Sequence, residues 1–159
     1  MTTVACIQMA SGPNVGANLL EAERLVGMAV DKGARLVVLP ENFAIMGKEE
    51  SDKVAVRESE QDGPIQDFLA QQARKHGIWL VGGTVPLAAA DDNKIRAACL
   101  LYDDKGRCAA RSAASRMSSW TRVAMWRSST ATAAPMTSEA NGRSTRAHNS
   151  VRSGLTRLP

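Results

Sequence analysis

The sequence predicts an α/β fold, and three observations carry that prediction. Short apolar runs rich in β-branched residues recur at Thr3–Met9, Arg35–Leu39 and Ile78–Val85. Between them lie two segments with apolar residues at helical spacing, and each ends at a glycine, Gly33 or Gly77. The resulting order, strand–helix–strand–helix–strand, is that of βαβ units around a parallel sheet. A chain of 159 residues has the length of one domain.

Thr3–Met9 is mostly apolar and reads as a first, central strand. A loop with Gly12, Pro13 and Asn14 follows. Asn18 and Glu21 have capping-box spacing, which predicts a helix with Asn18 as its N-cap. Ala22, Leu25, Val26, Ala29 and Val30 form its apolar face, with Lys32 in the last turn and Gly33 at C′. Arg35-Leu36-Val37-Val38-Leu39 reads as a strand buried on both faces. Pro40 ends it, having no N–H for a ladder.

Glu41 therefore sits at the C-terminal edge of a parallel strand, where open α/β sheets place ligands and catalytic groups. A glutamate held there can act as a general base, with a pKa raised by partial burial. The charged stretch from Ala44 to Asp62 reads as a surface excursion with a short helix around Glu49–Val56. It is either a substrate wall or a plain solvated loop. Gly63-Pro64 opens a second helix with Ile65, Phe68, Leu69 and Ala73 on its buried face and Gly77 at its end. Gly82-Gly83 inside the next strand predicts close backbone approach or a bulge. With no Gly-Lys-Ser/Thr after them, these glycines do not make a phosphate loop. Ile95–Tyr102, the Asp103–Gly106 turn and Arg107–Arg111 read as a hairpin.

Val37-Val38-Leu39-Pro40-Glu41-Asn42-Phe43, after the Gly33-Ala34 helix end, resembles the first catalytic segment of the nitrilase superfamily, the carbon–nitrogen hydrolases. The likeness spans Thr2 to about Arg111 and is greatest to small amidases acting on ω-amides or deaminated glutathione. It implies the N-terminal portion of an αββα sandwich, with Glu41 as the general base of a Glu-Lys-Cys triad. It further implies hydrolysis of a small amide or nitrile without metal or organic cofactor, and it allows a homo-oligomer. The family's hairpin leads into a catalytic-lysine segment, and its nucleophile lies in a later Cys-Tyr-Asp elbow. Here no lysine follows Lys105 and no cysteine follows Cys108, so the nucleophile and oxyanion lysine are absent. The chain reads as an inactive, truncated or frame-shifted amidase.

The composition changes at the same place. Residues 1–111 carry 13 basic and 15 acidic side chains, whereas residues 112–159 carry seven arginines and one acid, Glu139. The net charge of +4 thus comes wholly from the second segment. Residues 112–159 are rich in Ser, Thr, Arg and Ala, with too few apolar residues to offset ordering entropy. We expect a partial hydrolase domain over 1–111 and a disordered tail over 112–159, out-of-frame translation being its origin. Two alternatives stay open: a non-catalytic α/β module, or a nucleic-acid binder using the tail's arginines with Trp120 and Trp126. The arginines are dispersed and the tryptophans form no recognisable platform, so nucleic acid is not the expected partner.

Three cysteines without a C-x-x-C pair argue against a disulfide framework. Cys6 and Cys99, within apolar runs, suit buried free thiols in a reducing compartment. His76 and His148 have no metal-ligand spacing around them. There is no bilayer-spanning run and no signal-peptide pattern, and a cytoplasmic location is expected.

Overall fold

The structure is a computed structural model that describes residues 2–114. Five strands form one sheet in the order β1-β2-β3-β4-β5: β1 Thr3–Cys6, β2 Ala34–Val38, β3 Trp79–Ala88, β4 Ile95–Tyr102 and β5 Cys108–Ala114. The β1–β2 and β2–β3 pairs are parallel, the β3–β4 and β4–β5 pairs antiparallel. The helices are α1 Val15–Asp31, α2 Glu50–Ala55 and α3 Pro64–His76. The expected α/β class and βαβ order are therefore present.

Helices α1 and α3 cover one face of the sheet. Leu25, Val26, Ile65 and Leu69 from the helices pack with Ala5, Val37, Leu39, Leu80 and Leu100 into one core. The opposite face carries the alternate residues of each strand. There Val4, Leu36, Val38, Val81 and Leu101 are only half-buried, and Trp79 is 43% exposed. This corrects the expectation that Arg35–Leu39 is buried on both faces. It also explains why Cys6 is exposed and Cys99 half-buried, rather than both buried. Both side chains belong to the uncovered face. The first strand, expected to be central, is an edge of the sheet.

The helix ends differ in one instructive place. Helix α1 starts at Val15, and its N-cap is Asn14, whose Oδ1 accepts from Ala17 N at 3.0 Å. Asn18 is not the cap but a buried residue within the helix. At the other end Gly33 takes φ +85°, the left-handed geometry that glycine adopts without strain. Helix α2 lies inside the expected Glu49–Val56 span, and Asp52 Oδ2 accepts from Lys48 N and Glu49 N. Helix α3 begins at Pro64 and closes on left-handed Gly77, as expected.

The hairpin return, expected over Arg107–Arg111, runs over Cys108–Ala114, so pairing with β4 continues three residues past Arg111. Asp103 holds the turn: Oδ1 accepts from Lys105 N and Arg107 N, and the Arg107 guanidinium pairs with Oδ2. These contacts hold its carboxyl below its ordinary value. The expectations for the tail beyond Ala114, including Trp120, Trp126, Glu139 and His148, lie outside the described residues. No helix among the described residues is long and apolar enough to cross a membrane.

Candidate active site

Strand β2 delivers Glu41 to the carboxyl end of the parallel strands. Beyond Val38 the chain stays in register for one more residue, as Leu39 N donates to Val81 O at 2.9 Å. Ile7 N likewise donates to Val38 O at 2.9 Å. Pro40 stops the ladder and the chain turns at Glu41-Asn42. Asn42 has φ 56°, the one non-glycine residue with positive φ among those described. Asparagine tolerates that geometry better than most residues.

Three neighbours fix the turn. Strand β3 passes so close that a Cβ on Gly83 would lie 2.1 Å from the Pro40 carbonyl oxygen and 2.6 Å from that of Leu39. The β3–β4 register also shifts between Gly82 and Val85. Close approach and irregularity, the two alternatives expected of Gly82-Gly83, occur together. Asn42 N donates to Thr84 Oγ1 at 2.8 Å, and Lys53 Nζ of α2 donates to Asn42 Oδ1 at 2.9 Å.

The segment that follows, Phe43–Ile45, is buried. It is tied to the loop after β1 through Asn18. Asn18 Nδ2 donates to Ala44 O and to Gly12 O, each at 2.8 Å, and Oδ1 accepts from Gly12 N at 2.9 Å. Ser11 Oγ adds a bond to Phe43 O at 3.1 Å, and Met46 N one to Gly12 O at 3.0 Å. Every polar atom of the Asn18 amide is thus used in joining two loops. Asn18→Leu would leave Gly12 N and Ala44 O without that partner. We expect it to cost about 2–4 kcal/mol, at roughly 1–2 kcal/mol for each of the two stranded groups. Urea unfolding checks this, and a loss under about 0.5 kcal/mol, the scale of ordinary surface changes, would show the bridge to be dispensable.

Glu41 itself is exposed, not partly buried as expected. A second glutamate, Glu58, is buried, and the sequence reading missed it. Its backbone pairs with β3, through Glu58 N to Pro86 O and Ala88 N to Glu58 O. Its carboxylate accepts from Ile65 N, Gln66 N and Gln66 Nε2 at the start of α3. Burial pushes the Glu58 carboxyl above its ordinary value, and the Ile65 and Gln66 donors only partly offset this.

None of the three cysteines is set up as a nucleophile. Cys99 lies within β4, where burial pushes its thiol up. Cys6 closes the edge strand, and the exposed Cys108 Sγ contacts Ala110 O at 3.6 Å. Among the described residues no group of His, Cys, Asp and Glu could hold a metal ion. A groove of about 540 Å³, lined by Leu36, Trp79, Val81 and Leu101 with Arg35 and Asp104, lies on the uncovered sheet face. Thr2, Arg35, Gly77 and Trp79 in its lining mark the amino ends of β1, β2 and β3, the opposite end of the strands from Glu41, so this groove is not the pocket of the Glu41 site.

A family model described as carbon-nitrogen hydrolase matches residues 3–150. The deaminated glutathione amidase of Yersinia enterocolitica is 31% identical over 109 residues, 68% of this chain and 37% of that protein. The omega-amidase NIT2 of Danio rerio is 34% identical over 56% of this chain and 31% of its own length. Among solved structures, Nit3 of Saccharomyces cerevisiae, a member of the nitrilase superfamily, superposes with a TM-score of 0.63 at 26% identity, covering 70% of this chain and 43% of that one. The chain spans about a third of the length of the curated relatives it matches.

Proposed function

The chain belongs to the carbon–nitrogen hydrolase family, and on that premise we propose that its folded part carries the general base of an amide-hydrolysing site, with Glu41 as that base. The observation that carries the reading is the placement of Leu39-Pro40-Glu41 at the carboxyl end of parallel β2, in a turn held from three sides. The exposure of Glu41 supports it as well, because a base must reach its substrate.

The chemistry sets what else is needed. A thiolate adds to the amide carbonyl carbon, and Glu41 takes the thiol proton and passes it to the leaving amine. A cation meets the charge that develops on the carbonyl oxygen. Water, with its proton taken by Glu41, then releases the acid and the thiol. The family's lysine and elbow cysteine are not supplied by residues 109–159, which contain no lysine and no cysteine. We therefore read this chain as lacking turnover, with residues 1–111 a partial hydrolase domain and residues 112–159 an out-of-frame product. The substrate class we assign to the complete site is small ω-amides, with deaminated glutathione as a further candidate.

The test begins with the coding DNA from Arg107 to Ser119. We expect another frame to continue with a Lys-x-His segment and later a Cys-Tyr-Asp elbow. Repairing the frame should give ammonia release from an ω-amide, and Glu41→Gln should lower it about 10²–10⁴-fold, the usual range for a general base. Absence of those segments from both other frames would overturn the frame-shift reading. Turnover by the present chain that survives Glu41→Gln would overturn the assignment of Glu41.

A further inference from the structure

We propose that Lys53, Asn42 and Thr84 form a positioning clamp that fixes the direction in which Glu41 leaves the sheet; this rests on the reading of Glu41 as the base. The clamp has two jaws. One is β3, where the irregularity between Gly82 and Val85 turns Thr84 toward the β2 side. There its hydroxyl accepts from Asn42 N at 2.8 Å. The other is α2, from which Lys53 Nζ donates to Asn42 Oδ1 at 2.9 Å. Asn42, the residue directly after Glu41, is gripped by its backbone on one side and its side chain on the other.

Each part answers a physical need. A residue with a side chain at φ 56° relaxes toward negative φ unless something holds it. That relaxation would swing the peptide between Glu41 and Asn42 and with it the glutamate. The Thr84 bond holds this peptide directly, since the bonded N–H belongs to it. Lys53 is half-buried and, among the described residues, pairs with no carboxylate. It gives its ammonium to a neutral amide oxygen instead. Such a contact suits a lysine that orients a turn. Helix α2 is itself steadied, because Asp52 Oδ2 accepts from Lys48 N and Glu49 N at its start. The jaw that carries Lys53 therefore does not move freely.

The test reads Glu41 and Asn42 by NMR in the full 159-residue chain. We expect a rigid backbone order parameter at Glu41, about 0.85, and slow exchange of the Asn42 amide. Thr84→Val should remove the exchange protection of Asn42 and lower the order parameter at Glu41 below about 0.6. Thr84→Ser, which keeps the hydroxyl, should restore both. Lys53→Met should loosen Glu41 with the β1–β4 amide shifts unchanged, and Lys53→Arg should not. A Glu41 as ordered in Lys53→Met and Thr84→Val as in the native chain would overturn the clamp. So would a Glu41 already disordered in the native chain. If Thr84→Val fails to fold, Lys53→Met decides alone, as it empties no core position. These readouts do not involve turnover. The clamp can therefore fail while Glu41 proves to be the base, and it can hold while Glu41→Gln leaves turnover intact.

Discussion

Gly83→Ala is expected to lower the stability of the folded part by about 3 kcal/mol or more, the upper range for overpacking against backbone. The added Cβ would meet the Pro40 carbonyl oxygen at 2.1 Å, the Pro40 carbonyl carbon at 2.4 Å and the Leu39 carbonyl oxygen at 2.6 Å. None of these is the end of a flexible side chain. Relief requires β3 and the end of β2 to separate, and that breaks the Leu39 N to Val81 O bond and the Asn42 N to Thr84 Oγ1 bond. Two other glycines calibrate the effect. At Gly82 the new methyl would meet Leu69 Cδ1 at 2.4 Å, and a leucine can change rotamer, so Gly82→Ala should cost less, about 1–2 kcal/mol. At Gly27, inside α1 with nothing within 4 Å, alanine should stabilise by about 0.5–1 kcal/mol through its helix propensity. Urea unfolding of the three variants gives the order directly. Equal losses at Gly82 and Gly83 would show that the β2 end can retreat as easily as a side chain.

The same residues show why so much of the site was readable. Val37–Pro40 carries its strand signal and its stop in consecutive positions, so local pattern located Glu41. Gly82-Gly83 announced the close approach because no other residue permits one. What local pattern could not give was the partner. Asn14 and Asn18 lie four residues apart, and only Asn18 has a glutamate at the capping-box position. Yet Asn14 caps α1, and Asn18 bonds Ala44, 26 positions away. Thr84 and Lys53 escaped for the same reason, since each meets Asn42 only after the sheet and α2 have assembled. The misjudged burial of Cys6 has a different source. An apolar run says that a strand is in a sheet, but not that both faces of that sheet are covered by the residues at hand.

Glu58 escaped most completely, and its replacement carries the second large effect. Glu58→Ala should cost about 3–5 kcal/mol, because it leaves Ile65 N and Gln66 N without their acceptor in a buried place and takes from Gln66 Nε2 one of its two acceptors, the other being Ser59 O. It also detaches the start of α3 from the chain segment that pairs with β3. Gly63 shows how tightly this corner is built: a Cβ there would fall 2.3 Å from the Glu58 carboxyl carbon. Glu58→Gln separates the roles of shape and charge. Its amide keeps the volume but offers one acceptor oxygen and turns an NH₂ toward N–H donors, a loss of about 1–3 kcal/mol. The pH dependence follows from the raised folded-state pKa of Glu58, whose largest cause is burial. The folded chain holds this proton more tightly than the unfolded chain does. The linked stability is therefore full below the unfolded value, about 4.3, and is lost as pH rises through the folded value. The advantage of the native chain over Glu58→Gln should then be largest near pH 4 and shrink toward neutrality, as read from urea midpoints at each pH. An advantage that grows from pH 4 to 7 would mean that the Ile65 and Gln66 donors, with the α3 N-terminus behind them, outweigh burial and that the carboxylate form is the one the fold prefers.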